Sequence, residues 1–495
     1  MIRIRVVLMH VCLAGLGLLA GCVNQAKEVA KYREVVQTPG QVVPSIRPGQ
    51  PLSLEDALLL ANEYNERINL QGEAYLQSLI ARDRAAATFL PTISLAPSYL
   101  RQDLPSSSGS VSAAGASGGA AAGAFSAQKE RTDVILGGGW NAFNGPVALA
   151  NYQAAGKTIA QRRALLLDAQ AAVLIDVAHT FYQALRAEQS VEVLRNAENT
   201  QRTNVSQQQA RLKSGLGKPL DVEQARAQLS ATRVSLLNAQ NDVVNARVTL
   251  SFLVGVDVSG NPLRDDAQVP EAMAPLEELQ QIAQRSRQDL AAARAGVVAA
   301  RYQVNAAIGQ YFPSVTFNFN YYLSRESIPT ESEWNALLSA NLPIFTGGAI
   351  YANVRNAWSL FRQAKLLESQ ARRQVIQEVA TAYENLRVSR ERLQQLGEGV
   401  RYAKGAYTLA KGFYEAGLKE GTYLNLLIAT DQLLSAQLQL ASERYNQKVF
   451  YLNLLRAMGT LSTRLPGEAA PSTRPTTAPA PEIGLKPTTR PVAQP

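Results

Sequence analysis

The sequence predicts an α+β membrane protein built as a tandem duplication, in which each copy carries a pair of amphipathic strands and a long helical hairpin. Three observations predict it. One helix-forming run is too long for a globular core, its surroundings recur at a fixed spacing, and an export signal is followed by no apolar run long enough to cross a bilayer as a helix.

The long run extends from Gly348 to Ala416 without a proline. At 1.5 Å per residue it would be about 100 Å long. From Val379 its apolar positions step by three and four: Val379, Ala382, Leu386, Ser389, Leu393, Leu396, Val400, Ala403, Tyr407, Ala410, Tyr414, with Ser389 the one polar member. A 3.5-residue repeat predicts left-handed coiling against a partner helix. A second, partial stripe, Tyr402, Ala406, Leu409 and Phe413, asks for a neighbour on the other flank. A glycine turn at Gly417 and Gly421 then leads into a return helix that ends near Gly459.

The first half of the chain repeats this plan. Asn144-Gly145-Pro146 matches Thr346-Gly347-Gly348, Asp176-Val177-Ala178 matches Glu378-Val379-Ala380, and Ser214-Gly215-Leu216 matches Ala416-Gly417-Leu418, all at a spacing of 202. Ahead of the strands the spacing is 222, as Leu90-Pro91-Thr92 against Phe312-Pro313-Ser314 shows. The extra residues of the first copy fall in the Ser/Gly/Ala stretch 105–127. The division expected is therefore a first repeat at 52–255, a connector at 256–275 and a second repeat at 276–459. Within them lie strand hairpins at about 92–143 and 314–345 and helical hairpins at 146–254 and 348–458.

Residues 1–21 read as an export signal, with Arg3 and Arg5 ahead of an apolar run. It ends in Leu19-Ala20-Gly21-Cys22, which resembles the bacterial lipobox, whose cysteine becomes the lipidated first residue; several acyl chains would anchor firmly. Cys12 leaves with the signal, so no disulfide framework is available. Residues 22–51, with several prolines, are expected to form an extended linker. Residues 460–495, rich in Pro, Thr and Ala, are expected to be a disordered periplasmic tail.

Formal charge falls from +9 to +7 without Arg3 and Arg5, and the tail carries a further +2. The remaining +5 reads as spread over a mixed surface, so no nucleic-acid partner is expected. Beyond the signal, any bilayer crossing must use strands. Ser314–Ser324 alternates Val315, Phe317, Phe319, Tyr321 and Leu323 with Thr316, Asn318, Asn320 and Tyr322. Segments 334–342, 92–101 and 132–143 complete the set, with Ile93, Leu95, Val134, Leu136 and Trp140 on one face. Four strands cannot close a membrane barrel, so an oligomer is required, and strand counting admits a dimer or a trimer.

No chemistry-bearing constellation accompanies this plan, and neither an enzyme nor a cofactor is expected. His179 is the mature chain's one histidine, mid-helix, and reads as a packed or wall-facing residue. Gly137-Gly138-Gly139 lacks the lysine of a phosphate loop and lies in a strand. A lipid-anchored periplasmic coiled-coil spacer without a channel is the alternative reading.

The lipobox, the duplicated plan, Pro91 and Pro313 at strand entry and Leu342-Pro343-Ile344-Phe345-Thr346-Gly347-Gly348 together resemble the TolC-type outer membrane efflux proteins, in their lipoprotein branch. So do Tyr414-Glu415-Ala416-Gly417-Leu418, Tyr423-Leu424-Asn425-Leu426-Leu427 and Ala436-Gln437-Leu438-Gln439-Leu440-Ala441. The likeness runs from about Leu52 to Gly459. It implies a homotrimer with a 12-stranded outer-membrane β-barrel continuous with a periplasmic α-helical barrel, fed by an inner-membrane pump through a periplasmic adaptor. The cargo, whether drug, metal ion or polypeptide, stays open.

Two further expectations concern the periplasmic end. Gly215-Leu216 and Gly417-Leu418 occupy matching turns, where each glycine permits a left-handed backbone and each leucine is presented for adaptor docking. The acidic positions that ring the aperture in the resembled family fall on Asn425 and Ile428, both uncharged, so closure is expected to rest on Leu424. Asp431, read as lying in the seam Leu424, Leu427, Asp431, Leu434, Leu438, is expected to pair with Lys404 or Lys411 and latch the tip.

Overall fold

The computed structural model describes residues 23–37, 43, 44, 47, 49–101, 130–326, 331–419 and 421–462. Cys22, the signal, the 105–127 stretch and the tail from 463 lie outside them. A first helix, α1 (Gln25–Val36), precedes β1 (Leu52–Ser53), α2 (Leu54–Tyr64) and α3 (Glu66–Ala87). Strands β2 (Thr92–Arg101) and β3 (Glu130–Asn144) lead to α4 (Val147–Lys213) and α5 (Pro219–Val254). The second copy follows as β4 (Leu263–Arg264), α6 (Leu276–Ser286), α7 (Gln288–Gly309), β5 (Ser314–Ser324), β6 (Trp334–Asn341), α8 (Ala349–Glu415) and α9 (Tyr423–Met458).

The stretch expected as an extended linker is helical in its first half. Asn24 caps α1 by accepting from the Lys27 amide at 3.2 Å, and the prolines all come later, at Pro39 and beyond. Val29, Tyr32 and Val36 fall on one face, and Tyr32 and Val36 are buried. The Tyr32 ring lies over Gly72 of α3 so closely that a Cβ there would meet it at 2.3 Å. The Val36 carbonyl accepts from Asn62 and Gln170. The tail also starts later than expected, because Leu461 is buried and its amide bonds Leu455.

The sheet has the order β2-β3-β5-β6, antiparallel throughout. Its register places Leu95 opposite Leu136, Leu136 opposite Tyr321, Trp140 opposite Phe317, and Tyr321 opposite Trp334. Opposed residues share a face. One face of the sheet therefore carries Ile93, Leu95, Val134, Leu136, Trp140, Phe317, Phe319 and Trp334. The other carries Ser94, Asn141, Thr316, Asn318, Asn320 and Asn335, and Asn320 donates to Asn335 at 3.0 Å. Gly137 to Gly139 lie inside β3, where a Cβ on Gly137 would come within 3.2 Å of the Asn320 side chain.

Below the sheet the helices stand side by side. In the half nearest the strands the order is α3, α4, α7, α8; in the far half it is α5, α4, α9, α8. A collar core where the halves meet gathers Leu54, Leu58, Ile68, Leu166, Leu174, Phe181, Leu250, Leu290, Val379, Leu386 and Leu452, all almost fully buried. An eighteen-residue window of α4 reaches a mean hydropathy of 1.4, longer than the sequence reading allowed, and half of it is buried in the chain. That apolar content is explained by the collar. Arg287, almost fully buried, ties the collar by pairing with Asp289 at 2.6 Å and Glu378 at 2.7 Å.

Along α8 the seam positions Val379, Ala382, Leu386 and Ser389 are buried, and those from Leu393 to Tyr414 are half-buried against α9. The polar member has a partner: the Ser389 hydroxyl donates at 2.6 Å to Glu443, a buried carboxylate of α9.

Candidate functional site

The functional features lie at the free tip of the helices and along the two open sides of the chain. At the tip, Gly215 and Gly417 have φ of +75° and +68°, a region that a side chain would strain. Leu216 and Leu418 project from the turns, 75% and 50% exposed. Close approach belongs to the later glycines. A Cβ at Gly421 would meet the Phe413 carbonyl, and one at Gly217 would lie 2.8 Å from the Leu212 amide.

Behind the turns the two hairpins meet in a small cluster of Val205, Ala225, Tyr407, Tyr414, Tyr423 and Leu426. The Tyr414 hydroxyl donates to Gln208 at 2.6 Å, and the Arg211 guanidinium stands 4.5 Å over the Tyr414 ring. Tyr423 is buried with no hydrogen-bond partner for its hydroxyl among the described residues. Burial, with the nearby Tyr414, Asp221 and Asp431, pushes its phenol up to about 12.

The expected latch is not the one that forms. Asp431 accepts a hydrogen bond from Gln228 of α5, and neither Lys404 nor Lys411 reaches it. Lys411 turns along its own helix to Glu415 at 3.9 Å. The reason lies in the helix phase. The buried face of α9 here is Tyr423, Leu426 and Ala429, which leaves Leu424, Asn425, Ile428 and Asp431 on the exposed side, away from α8. Asp431 is therefore not a seam residue, and an amide donor meets its needs. Its carboxyl is nonetheless raised, by partial burial that the Gln228 bond only partly offsets.

Sequence reading missed Gln208, Arg211 and Gln228. A signal for the first was available: displacing the α8 seam by 202 residues lands on Gln208, a polar side chain where an apolar one is expected.

The open sides are consistent with one another. Among the described residues, strands β2 and β6 each have one unpaired edge. In the far half of the wall, α5 and α8 are the outermost helices, and each carries an unpacked apolar stripe. On α5 these are Val234, Leu237, Val244, Val248 and Phe252, every one more than half exposed; on α8 they are Tyr402, Leu409 and Phe413. The second stripe on α8 is thus free in the single chain.

Among the described residues no group of three or more His, Cys, Asp or Glu is placed to hold a metal ion. His179 lies 2.8 Å from the Asn453 side chain on an exposed part of the wall.

The sequence model of the outer membrane efflux proteins matches residues 71–256 and 279–460, one match for each repeat. This chain belongs to the outer membrane efflux protein family. Its place is the outer membrane. Among its relatives, the outer membrane protein TolC of Vibrio cholerae is 25% identical over 318 residues, 61% of this chain and 72% of that protein. TolC of Escherichia coli is 24% identical, covering 59% and 62%. The toluene efflux pump outer membrane protein TtgC of Pseudomonas putida is 28% identical over 259 residues, half of each chain. Two solved structures share the fold of this efflux protein. VceC of Vibrio cholerae superposes with a TM-score of 0.69 at 20% identity, over 82% of this chain and 96% of its own. The Campylobacter jejuni CmeC channel reaches 0.72 at 16%, over 87% and 92%.

Proposed function

We propose that three copies of this efflux protein close into one exit duct: twelve strands in the outer membrane above twelve long helices in the periplasm. The observation that carries this reading is that both layers are open at both sides. β6 of one copy can pair with β2 of the next, while the α8 stripe meets the α5 stripe. Such head-to-tail contacts close into a ring when the rotation per copy fits. An unpaired strand edge left in lipid would strand its backbone groups without water. The apolar face of the sheet then meets lipid, and the asparagine-rich face lines the lumen.

In this reading the duct passes substrates received from an inner-membrane pump through a periplasmic adaptor, and the protein has no catalytic role. The adaptor meets Gly215-Leu216 and Gly417-Leu418 at six tips per ring. Leu424 and Ile428, exposed on one stripe beside them, narrow the end of the tunnel as an apolar constriction, and the Gln208–Tyr414 and Gln228–Asp431 bonds hold neighbouring hairpins in that arrangement.

Cys22 is the acylated residue. The Val36 end of α1 lies at Asn62, and Tyr32 lies at Gly72. Residue numbers fall along α1 as they rise along α3, so the two helices are antiparallel and the start of α1 points back toward the strands. That direction of α1, whose start follows Cys22 by three residues, supports the acylation reading. Radiolabelled palmitate should label the parent and not Cys22→Ser.

Unboiled electrophoresis and mass photometry in detergent test the ring itself. A heat-modifiable trimer is expected, and a monomeric rod would overturn the duct in favour of a spacer.

A further inference from the structure

The positive charge of this chain is not spread evenly. Its excess is concentrated in the helices directly below the strands. Descending from the sheet, the first acidic residues met on α4, α7 and α8 are Asp168, Asp289 and Glu368. Above that level, with residues 70–87 of α3, stand ten Lys and Arg against Glu73 and Asp83 alone: two basic residues on α3, three on α4, two on α7 and three on α8. This layer carries a net +8, more than the +5 of residues 22–460 as a whole. Arg82 pairs with Asp83 at 3.2 Å and Arg294 approaches Glu368 at 3.9 Å. The other eight have no carboxylate partner among the described residues.

The side of the wall on which part of this charge lies can be traced from the sheet. Trp140 belongs to the apolar face, and its indole donates to the Phe89 carbonyl at 3.0 Å. Phe89 in turn packs edge-to-face on Tyr152. Tyr152 and Gly156 therefore mark the outer side of α4. At the spacing of 202 they correspond to Val354 and Trp358 of α8. Over Trp358 stands the Arg301 guanidinium, 5.2 Å from the ring centre, and Arg355 stands 5.7 Å over Tyr351. Arg355, Trp358 and Arg362 line one open concavity.

The residues form a graded series along the chain. Ile344 and Phe345, just before α8, are 93% and 88% exposed; Tyr351 and Trp358 follow, and the cations lie among and beyond them. This is the order of hydrocarbon, interface and headgroup. Arg355 lies six residues into α8, about 9 Å from its start. Headgroup layers are about 5–7 Å thick on each side of the hydrocarbon. Because side chains on a helix lean toward its N-terminus, Arg355 leans up toward that layer.

We propose that Arg301 and Arg355, set against Tyr351 and Trp358, form a binding surface for the phosphate headgroups of anionic phospholipid in the leaflet facing the periplasm. The inference rests on the barrel reading of the strands. Charge complementarity selects the occupant: the surface offers unpaired guanidinium groups, and the membrane beside it supplies phosphates with no competing protein carboxylate.

The test compares the parent with a variant carrying Arg301→Gln and Arg355→Gln, each assembled in nanodiscs of phosphatidylcholine mixed with phosphatidylglycerol. Lipid retained after extraction is counted by native mass spectrometry. The parent should retain phosphatidylglycerol over phosphatidylcholine, with a preference that declines with salt. Each neutralised cation should lower it roughly fivefold, and Arg→Lys exchange should keep most of it. Equal retention of both lipids by the parent, unchanged preference in the variant, or full displacement by inorganic phosphate would overturn the site. Loss of the trimer in the variant would assign these arginines to the contact between copies and would also overturn it. Conductance through neutral bilayers reads the duct separately: enrichment without conductance faults the duct alone, and conductance without enrichment faults the lipid site alone.

Discussion

The two helical hairpins share a plan and a spacing, yet the far half of one seam carries buried polar side chains where the other is apolar. On α8 the seam is apolar apart from Ser389, and its far half is only half-buried. Displaced by 202 residues onto α4, the same positions read Val177, Thr180, Ala184, Ala187, Val191, Leu194, Glu198, Gln201, Val205, Gln208 and Leu212. Here Glu198, Gln201 and Gln208 are buried. Each has a partner: Arg202 and Arg233 for Glu198, Asn204 for Gln201, Tyr414 for Gln208. The difference follows from position. α4 stands inside the wall, and its polar seam side chains draw donors both from α4 itself, Arg202 and Asn204, and from other helices, Arg233 of α5 and Tyr414 of α8, so their hydrogen-bonding needs are met. α8 stands at the side of the chain, where its seam packs chiefly on α9 and meets α4 near the tip through Tyr414, and apolar packing fills most of it.

Exchanging the chemistry of one seam for that of the other should produce the largest effects. Leu386 and Ala184 are equivalent and both fully buried. Leu386→Ala should cost about 2–5 kcal/mol through the cavity it leaves. Ala184→Leu should cost about 1–3 kcal/mol by overpacking. Chemical denaturation followed by circular dichroism reads both, and equal tolerance of the two changes would remove the distinction between the seams.

A smaller effect is expected where the seams touch. Gln208→Leu and Tyr414→Phe should each cost on the order of 1 kcal/mol, and the pair should be non-additive by about 0.5 kcal/mol or more. Either change should raise single-channel conductance in planar bilayers. Additive costs with parental conductance would mean that the bond holds nothing shut.

Acid should affect one hairpin and spare the other. Hydrogen bonds from Arg233 and Arg202 hold the Glu198 carboxyl below the usual carboxylate range. A group with a depressed value stabilises the fold above its unfolded value, near 4.3, and that stabilisation is lost as pH falls through the folded value. Thermal melts from pH 7 to pH 3 should decline less steeply for Glu198→Gln than for the parent. Asp431 has the opposite sign, since its carboxyl is raised. Asp431→Asn should therefore leave the tip as stable or slightly more stable at pH 7, and a clear loss in the same melts would contradict that.

The smallest change in stability belongs to the turns. A side chain at Gly215 or Gly417 strains the backbone, but its Cβ would meet nothing within 4 Å. They should leave the trimer folded while efflux fails, and unimpaired crosslinking to the adaptor would exclude docking at these tips.

The fold was legible in the sequence wherever periodicity and duplication both pointed to it. The stripe of Phe317, Phe319 and Tyr321 is a face of the sheet, and the seam from Val379 to Ser389 is buried where three-and-four stepping placed it. The tip was less legible. Asp431 fits a three-and-four series from Leu424 as well as a seam residue would, and only the burial of Tyr423 and Leu426 reveals that Leu424 and Asp431 lie off the buried face while Leu434 and Leu438 pack within the wall. The charge of the upper wall was concealed by summing over the whole chain, because the acidic residues that cancel it lie at and below the collar. Residue type alone could not separate helix α1 from the proline-rich segment after it.

The clasp formed by β1 and β4 has an evolutionary consequence. Leu52 pairs with Leu263 in parallel, and the Asn261 side chain donates to the Arg47 and Gln50 carbonyls, so the start of the first repeat and the joint between repeats lie side by side. An ancestor of half this length, assembling six to a ring, would have had its ends in the same place and would have needed only a short splice to become one gene. Before that splice every substitution appeared six times around the ring; after it, three times, at alternate positions. A glutamine at 208 could then spread through one set of hairpins while alanine stayed at 410 in the other.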